Sequence, residues 1–241
     1  MPSRPEDLQA TFCATLVDEW ARAGVEHAVV SPGSRSTPLT LALADDERIE
    51  VHVHHDERSA GFMALGLALA SGEPTIVVTT SGTAAVELHP AVVEADLAGV
   101  PLLVCTADRP PELLDVGAPQ AIDQTHLYGR SARWFHAPGV ADAAAQDRWR
   151  PLAARAYAEA TGPRPGPVHL NLAFREPLLG VPGPLPEPRS IGGSGWAWRP
   201  PQEVPADPVI SLVEDLVGRR GVLVAGAGSG DGELVHAVAT A

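Results

Sequence analysis

Residues 75–106 read TIVVTTSGTAAVELHPAVVEADLAGVPLLVCT, and this stretch decides the fold. A β-branched run at 75–79 is followed by Ser81-Gly82-Thr83, a helical pattern to about Ala98 and a second apolar run at 102–106. A strand, a long helix and another strand form a βαβ unit with parallel strands. Both runs lack the alternation of a half-buried strand, so we expect helices on both faces of the sheet.

The same alternation continues in both directions. Helical patterns at 8–23, 38–44 and 58–70 alternate with predicted strands at 25–30 and 49–54, and a last strand is expected at 168–172. The sequence therefore predicts an α/β fold, a doubly wound and mostly parallel sheet, over residues 1–180.

Composition changes after this predicted domain. Pro and Gly crowd residues 181–207, which we interpret as an extended linker. Residues 208–241 contain a predicted helix, a strand and a glycine-rich turn, too little to cover a sheet face. We interpret them as the truncated start of a second, Rossmann-like α/β domain.

Composition also narrows the function. The formal net charge of −13 disfavours nucleic acid and anionic membranes, because both require a basic face. No apolar run reaches the roughly 20 residues that span a bilayer, and the polar, acidic start lacks a signal-peptide core. Cys13 and Cys105 lie far apart in apolar stretches and are expected to be buried thiols in a reducing cytosol. We expect a cytoplasmic protein with no nucleic-acid or membrane partner.

Polar residues collect at the carboxyl ends of the predicted strands, where open parallel sheets bind ligands. In chain order these are Ser34-Arg35, Asp56-Glu57-Arg58, Ser81-Gly82-Thr83 and Asp108-Arg109. The amino ends, at 23–24 and 72–74, carry plain turns. Arginines from two carboxyl ends could bind a carboxylate bidentately, although a loop arginine can equally be a surface ion-pair partner. Glu57 alone could equally be a first-turn acid that interacts with a helix dipole. The residues by themselves indicate a ligand-binding α/β domain.

Six motifs carry a resemblance to one enzyme family. They are SPGSRSTPLT at 31–40, HDER at 55–58, TSGTA at 80–84, TADRPPEL at 106–113, QAI at 120–122 and GPVHL at 166–170. In this order they closely resemble the N-terminal domain of the 2-succinyl-5-enolpyruvyl-6-hydroxy-3-cyclohexene-1-carboxylate synthases, thiamine-diphosphate-dependent transferases of menaquinone biosynthesis. The resemblance covers about residues 8–180. The first and fourth motifs are specific for this family, whereas the glutamate and the Ser-Gly-Thr loop occur in many thiamine enzymes.

The resemblance implies a role for each matching residue. Glu57 is expected to be catalytic and to hydrogen-bond the aminopyrimidine ring of thiamine diphosphate, and Pro32 is expected to lie against that ring. The residues expected to contact substrate are Ser34, Arg35, Arg109 and Gln120. The substrates implied are 2-oxoglutarate, which is decarboxylated, and isochorismate, which receives the succinyl unit. Both are polycarboxylates, which would explain arginines at the cleft.

The resemblance also implies what this chain lacks. Family members are about twice as long, and Mg²⁺ (or Mn²⁺) is expected to be held with the diphosphate by a domain missing from this chain. No metal ligand is expected in these residues. The site is expected to form between the subunits of a homodimer or a dimer of dimers, and this N-terminal part is not expected to turn over alone.

Four other interpretations stay open. HVHHD at 52–56 resembles the zinc motif of metallo-β-lactamases, but Glu57 stands in the place of the last histidine and the strand order is wrong for that fold. GAGSG at 226–230 could bind a dinucleotide, but a glycine-rich loop alone is a weak signal. A non-catalytic binding fragment is a third possibility. The fourth is another thiamine-diphosphate decarboxylase or an acetohydroxyacid synthase-like enzyme.

Overall fold

The computed structural model describes residues 4–188 and the isolated positions 222, 224 and 236. The chain divides into two compact units, Met1–Arg199 and Pro200–Ala241. The description below concerns the first. Of the linker expected at 181–207, only residues 181–188 are described, and they contain no helix or strand. The elements expected at 208–241 lie outside the described residues, so the predicted domain boundaries stay predictions.

Strands and helices alternate through the described part of the first unit. The strands are β1 (His27–Val30), β2 (Glu50–Val53), β3 (Thr75–Thr79), β4 (Leu102–Asp108), β5 (Trp134–Gly139) and β6 (Pro167–Ala173). The helices are α1 (Pro5–Arg22), α2 (Thr37–Asp45), α3 (Glu57–Ser71), α4 (Thr83–Glu87), α5 (His89–Ala98) and α6 (Gln146–Ala160). The six strands form one parallel sheet in the order β2-β1-β3-β4-β6-β5. The predicted α/β class is therefore confirmed.

Two hydrophobic layers cover the sheet, one on each face. Helices α1, α2 and α6 pack on one face, and α3 and α5 pack on the other. Neighbouring strand residues divide between the layers, since Val78 joins the first and Val77 the second. In the first layer Trp20 is fully buried and its indole N–H donates to the Ala153 carbonyl at 3.0 Å, which joins α1 to α6. Burial of both faces explains why β3 and β4 are continuously apolar.

Several helix boundaries follow from local chemistry. Asp56 caps α3 by accepting the Ser59 amide at 2.7 Å, and Gly72 ends the helix in the left-handed region at φ +76°. The helix predicted over 81–98 is broken at Leu88, and α5 restarts with Pro90 in its first turn. The sequence did not predict β5 or α6. As expected, the two cysteines are buried free thiols.

The strand order reverses at β1, which has β2 on one side and β3 on the other. The loops after β1 and β3 meet there, as at the ligand-binding switch point of doubly wound sheets. A Cβ on Gly33 would lie 2.4 Å from the Thr80 Cβ, so only glycine allows this approach. The packing of these two loops fixes the floor of the crevice.

Within the described residues, we find no helix that is both long and apolar enough to cross a membrane.

Candidate active site

Glu57 lies at the first position of α3, directly beyond the carboxyl end of the edge strand β2. Its side chain is partly buried, and among residues 4–188 its carboxylate has neither a hydrogen-bond nor an ion-pair partner. The positive end of the helix dipole stabilises a carboxylate at this position. Asp56 already caps the helix, so Glu57 is not needed for that purpose. The carboxylate is therefore available to a ligand.

Arg35 is buried at the end of β1, in a short 3₁₀ turn at Ser34–Ser36. Its guanidinium donates to the Phe174 carbonyl at 3.0 Å and to the Glu176 carboxylate at 3.1 Å. The surface ion pair considered from the sequence is thus half right, because Glu176 is largely exposed while Arg35 is not. An exposed carboxylate that bonds a buried arginine can be displaced by an anionic ligand at little cost.

Arg109 follows β4 and is only 8% exposed. Its guanidinium donates to the Ser81 hydroxyl and, at 3.4 Å, to the Gln120 side-chain oxygen. Both acceptors are neutral, and Arg109 forms no ion pair in the part of the chain that the structure describes. Burial lowers the pKa of Arg109, and the positive charge of nearby Arg35 lowers it further. A buried guanidinium without a carboxylate partner is costly unless a ligand supplies the negative charge.

The segment that carries Gln120 is held in place by Gln124, which the sequence did not single out. Gln124 is buried, accepts the Gly82 amide at 2.8 Å and donates to the Asn171 side chain at 2.7 Å and the Ala107 carbonyl at 3.1 Å. Gln120 itself is exposed, with φ +55°, and its carbonyl accepts the Ser81 hydroxyl at 2.9 Å.

Beneath the arginines, β4 and β6 share a buried polar network. Asn171 donates to Asp108 at 2.7 Å, and Asp108 also accepts the Arg109 amide at 2.7 Å. Burial raises the pKa of Asp108, and these two hydrogen bonds oppose the rise. Thr106 links Asn171 to His169, at 2.8 Å on each side. The network orients the backbone from which Arg109 projects.

The remaining predicted residues occupy the same edge without joining one cluster. Pro32 and Ser34 are exposed in the loop after β1. A cavity of about 620 Å³ lies beside Ser34 and Glu176, and another of about 360 Å³ lies beside Asp108 and Gln124. Strands β2 and β4 are three spacings apart, about 14 Å at about 4.8 Å each. Glu57 is therefore separated from Arg109, as a ring-binding carboxylate would be from groups that hold a substrate's far end.

Comparison with known proteins gives the class. Residues 11–127 match the family model described as thiamine pyrophosphate enzyme, N-terminal TPP binding domain. The matched region contains β1 to β4 with the loops that carry Glu57, Arg35 and Arg109. The chain therefore carries the N-terminal, thiamine-diphosphate-binding domain of a thiamine enzyme.

Individual relatives narrow this class to one family. The chain is 58% identical over 175 residues to the 2-succinyl-5-enolpyruvyl-6-hydroxy-3-cyclohexene-1-carboxylate synthase of Thermobifida fusca, covering 72% of this chain and 32% of the relative. It is 46% identical over 241 residues to that of Haloarcula marismortui and 49% identical over 228 residues to that of Geobacillus kaustophilus. These two matches cover 91% of this chain, and 40% and 39% of the relatives. The chain belongs to this synthase family and spans about a third to two fifths of the length of these relatives.

Proposed function

We propose that this chain is the aminopyrimidine-binding part of a carboligase that decarboxylates 2-oxoglutarate and adds the succinyl unit to isochorismate. The relatives at 46–58% identity, each named as a synthase of the expected product, support this proposal. The activity belongs to the whole protein, of which these residues form the N-terminal part.

The observation that carries the proposal is the buried Arg109, which has only neutral acceptors and lies near buried Arg35. Two guanidinium groups next to one displaceable carboxylate, Glu176, favour a ligand with more than one negative charge. Both proposed substrates are polycarboxylates. We propose that Arg35 and Arg109 bind their carboxylates, with Gln120 and Ser34 completing the contacts from exposed positions.

The unpaired Glu57 carboxylate fits the cofactor's aminopyrimidine ring. Bound thiamine diphosphate supplies the carbanion chemistry that decarboxylation of a 2-oxo acid requires. Glu57 would share a proton with a ring nitrogen, and exclusion of water around that contact would strengthen the hydrogen bond. Pro32 would lie against the ring. The metal ion, Mg²⁺ or Mn²⁺, would be held with the diphosphate outside this chain.

We further propose that the whole protein is a homodimer or a dimer of dimers. Helix α3 is apolar on its outer side as well, where Phe62 is 42% and Leu69 61% exposed, and Val53 on the adjoining edge strand is 62% exposed. An exposed apolar patch of this kind is typical of a subunit interface. Nucleic acid and membranes are not proposed as partners, and the cytoplasmic location stays a prediction.

The function is tested by supplying the whole protein with thiamine diphosphate, Mg²⁺, isochorismate and 2-oxoglutarate. Loss of isochorismate that requires 2-oxoglutarate and is not supported by pyruvate would support the proposal. Carboligation of pyruvate with no consumption of isochorismate would instead identify an acetohydroxyacid synthase-like enzyme.

A further inference from the structure

Two histidines and a glutamate meet at the amino-terminal edge of the sheet, opposite the candidate active site. His27 and Glu50 begin β1 and β2 and lie directly across from each other in the parallel pair. His52 lies two residues further along β2, so it projects from the same face as Glu50. The expectation of plain turns at this edge missed this cluster, because His27 is 25 residues from His52 in the chain.

The distances between the three side chains match a shared metal ion. His27 Nδ1 and His52 Nε2 are 3.4 Å apart. Two nitrogens bound at about 2.05 Å to one tetrahedral ion lie about 3.35 Å apart, since zinc–nitrogen bonds are about 2.0–2.1 Å. The Glu50 oxygens lie 3.6 Å from His27 Nδ1 and 3.9 Å from His52 Nε2. A small rotation of the Glu50 side chain, which is 68% exposed, would bring one oxygen into ligand position.

A direct hydrogen bond between the imidazoles explains this geometry less well. The nitrogen–nitrogen distance of 3.4 Å exceeds the usual range of about 2.7–3.2 Å for a hydrogen bond. The two rings are tilted by 44° with centroids 5.5 Å apart, so they do not stack either. The side chains of His27 and His52 are 23% and 21% exposed, which leaves the facing nitrogens open to solvent on one side.

We propose that His27, Glu50 and His52 bind one divalent transition-metal ion such as Zn²⁺, with water in the fourth position. Two imidazoles and one carboxylate form a ligand set that suits Zn²⁺, Co²⁺ and Ni²⁺. Mg²⁺ prefers octahedral sites made of oxygen, so it would not compete. Among the described residues, these three form the one group of histidine, cysteine and acidic side chains with convergent ligand atoms.

This site is separate from the one that would use thiamine diphosphate. Three strand steps of about 3.3 Å, about 10 Å in all, separate Glu50 from Val53, and Glu57 lies beyond. The zinc motif considered from the sequence used His54 and Asp56 with His52. In the structure His54 Nδ1 lies 3.1 Å from the Asp56 carbonyl oxygen, and the partners of His52 come from elsewhere. The inference concerns metal binding and adds no hydrolytic reaction.

The test is calorimetric titration of the metal-free, untagged 241-residue chain with Zn²⁺, in the presence of excess Mg²⁺. We expect one equivalent to bind, and affinity to fall by at least about tenfold in His27→Ala and in His52→Gln. His55→Ala is the matched control, because His55 is an exposed histidine on the same side of the chain fold outside the cluster. It should bind as the unaltered chain does.

A second readout separates loss of the site from loss of the fold. Zn²⁺ should raise the Tm of the unaltered chain and of His55→Ala, but not that of His52→Gln, while all three melt at similar temperatures without metal. Equal Zn²⁺ affinity in His52→Gln and the unaltered chain would overturn the proposal. So would the absence of stoichiometric binding by the unaltered chain.

Discussion

Gln124→Leu should destabilise the domain far more than its position in an irregular segment suggests. The substitution keeps roughly the same volume but removes the acceptor of the Gly82 amide, which is buried. A buried donor left without a partner costs about 1–3 kcal/mol. Loss of the hydrogen bonds to Ala107 and Asn171 adds about 1 kcal/mol, because Asn171 keeps its bond from Thr106. We therefore expect the free energy of unfolding to fall by about 3 kcal/mol.

Urea unfolding followed by tryptophan fluorescence measures this loss, since Trp20 is fully buried in the same unit. With an m value of about 2 kcal/mol per molar, the midpoint should fall by about 1.5 M at unchanged m. Gln120→Leu is the matched control, because its side chain is exposed and makes a single 3.4 Å contact with Arg109. It should cost less than about 0.5 kcal/mol. Equal midpoints for the two variants would refute the reasoning.

Three further outcomes follow from the same contacts. Gly33→Ala should lower stability and substrate affinity together, because its Cβ would lie 2.4 Å from the Thr80 Cβ; an unchanged midpoint in urea would contradict this. Arg109→Met should leave the free energy of unfolding within about 1 kcal/mol, whereas Arg150→Met, which breaks buried ion pairs with Asp18 and Glu19, should cost about 3–5 kcal/mol; equal costs would show that Arg109 is paired. Burial, with a smaller effect of His126, lowers the pKa of His169 to about 3, so its neutral form stabilises the fold. Stability from this group is complete above about pH 6.5 and falls by up to about 1.4 kcal/mol per pH unit towards pH 3. His169→Gln should remove that slope between about pH 6.5 and 4.5, and identical slopes would contradict the assignment.

The sequence predicted the elements whose local pattern agrees with their final environment. Strands β3 and β4 are buried on both faces, so their apolar runs are unbroken, and Asp56 and Gly72 mark the ends of α3. Strand β5 was missed because it is half-buried at the sheet edge and contains Pro138 and Gly139, which weaken a strand pattern. Helix α6 was missed because Pro151 lies inside it.

The candidate site was predicted in part for the same reason. Parallel strands bring their carboxyl ends together, so Arg35, Glu57 and Arg109 could be assigned to one edge from the order of elements alone. Glu176 and Gln124 could not, because their roles depend on contacts with distant loops: Glu176 pairs with Arg35 across 141 positions and Gln124 holds Gly82 across 42. No local pattern encodes such contacts. Whether the predicted residues bind cofactor and substrate stays a prediction.

Glu57→Gln in the whole protein tests the central claim most directly. The amide keeps the size of the side chain but cannot share a proton as a carboxylate does, so consumption of isochorismate with 2-oxoglutarate should fall by at least about a hundredfold. Glu47→Gln is the matched control, since Glu47 is an exposed acid at the amino end of β2, and it should keep normal turnover. Both variants should unfold at the same urea concentration as the unaltered protein. Near-normal turnover in Glu57→Gln would contradict the role given to this carboxylate.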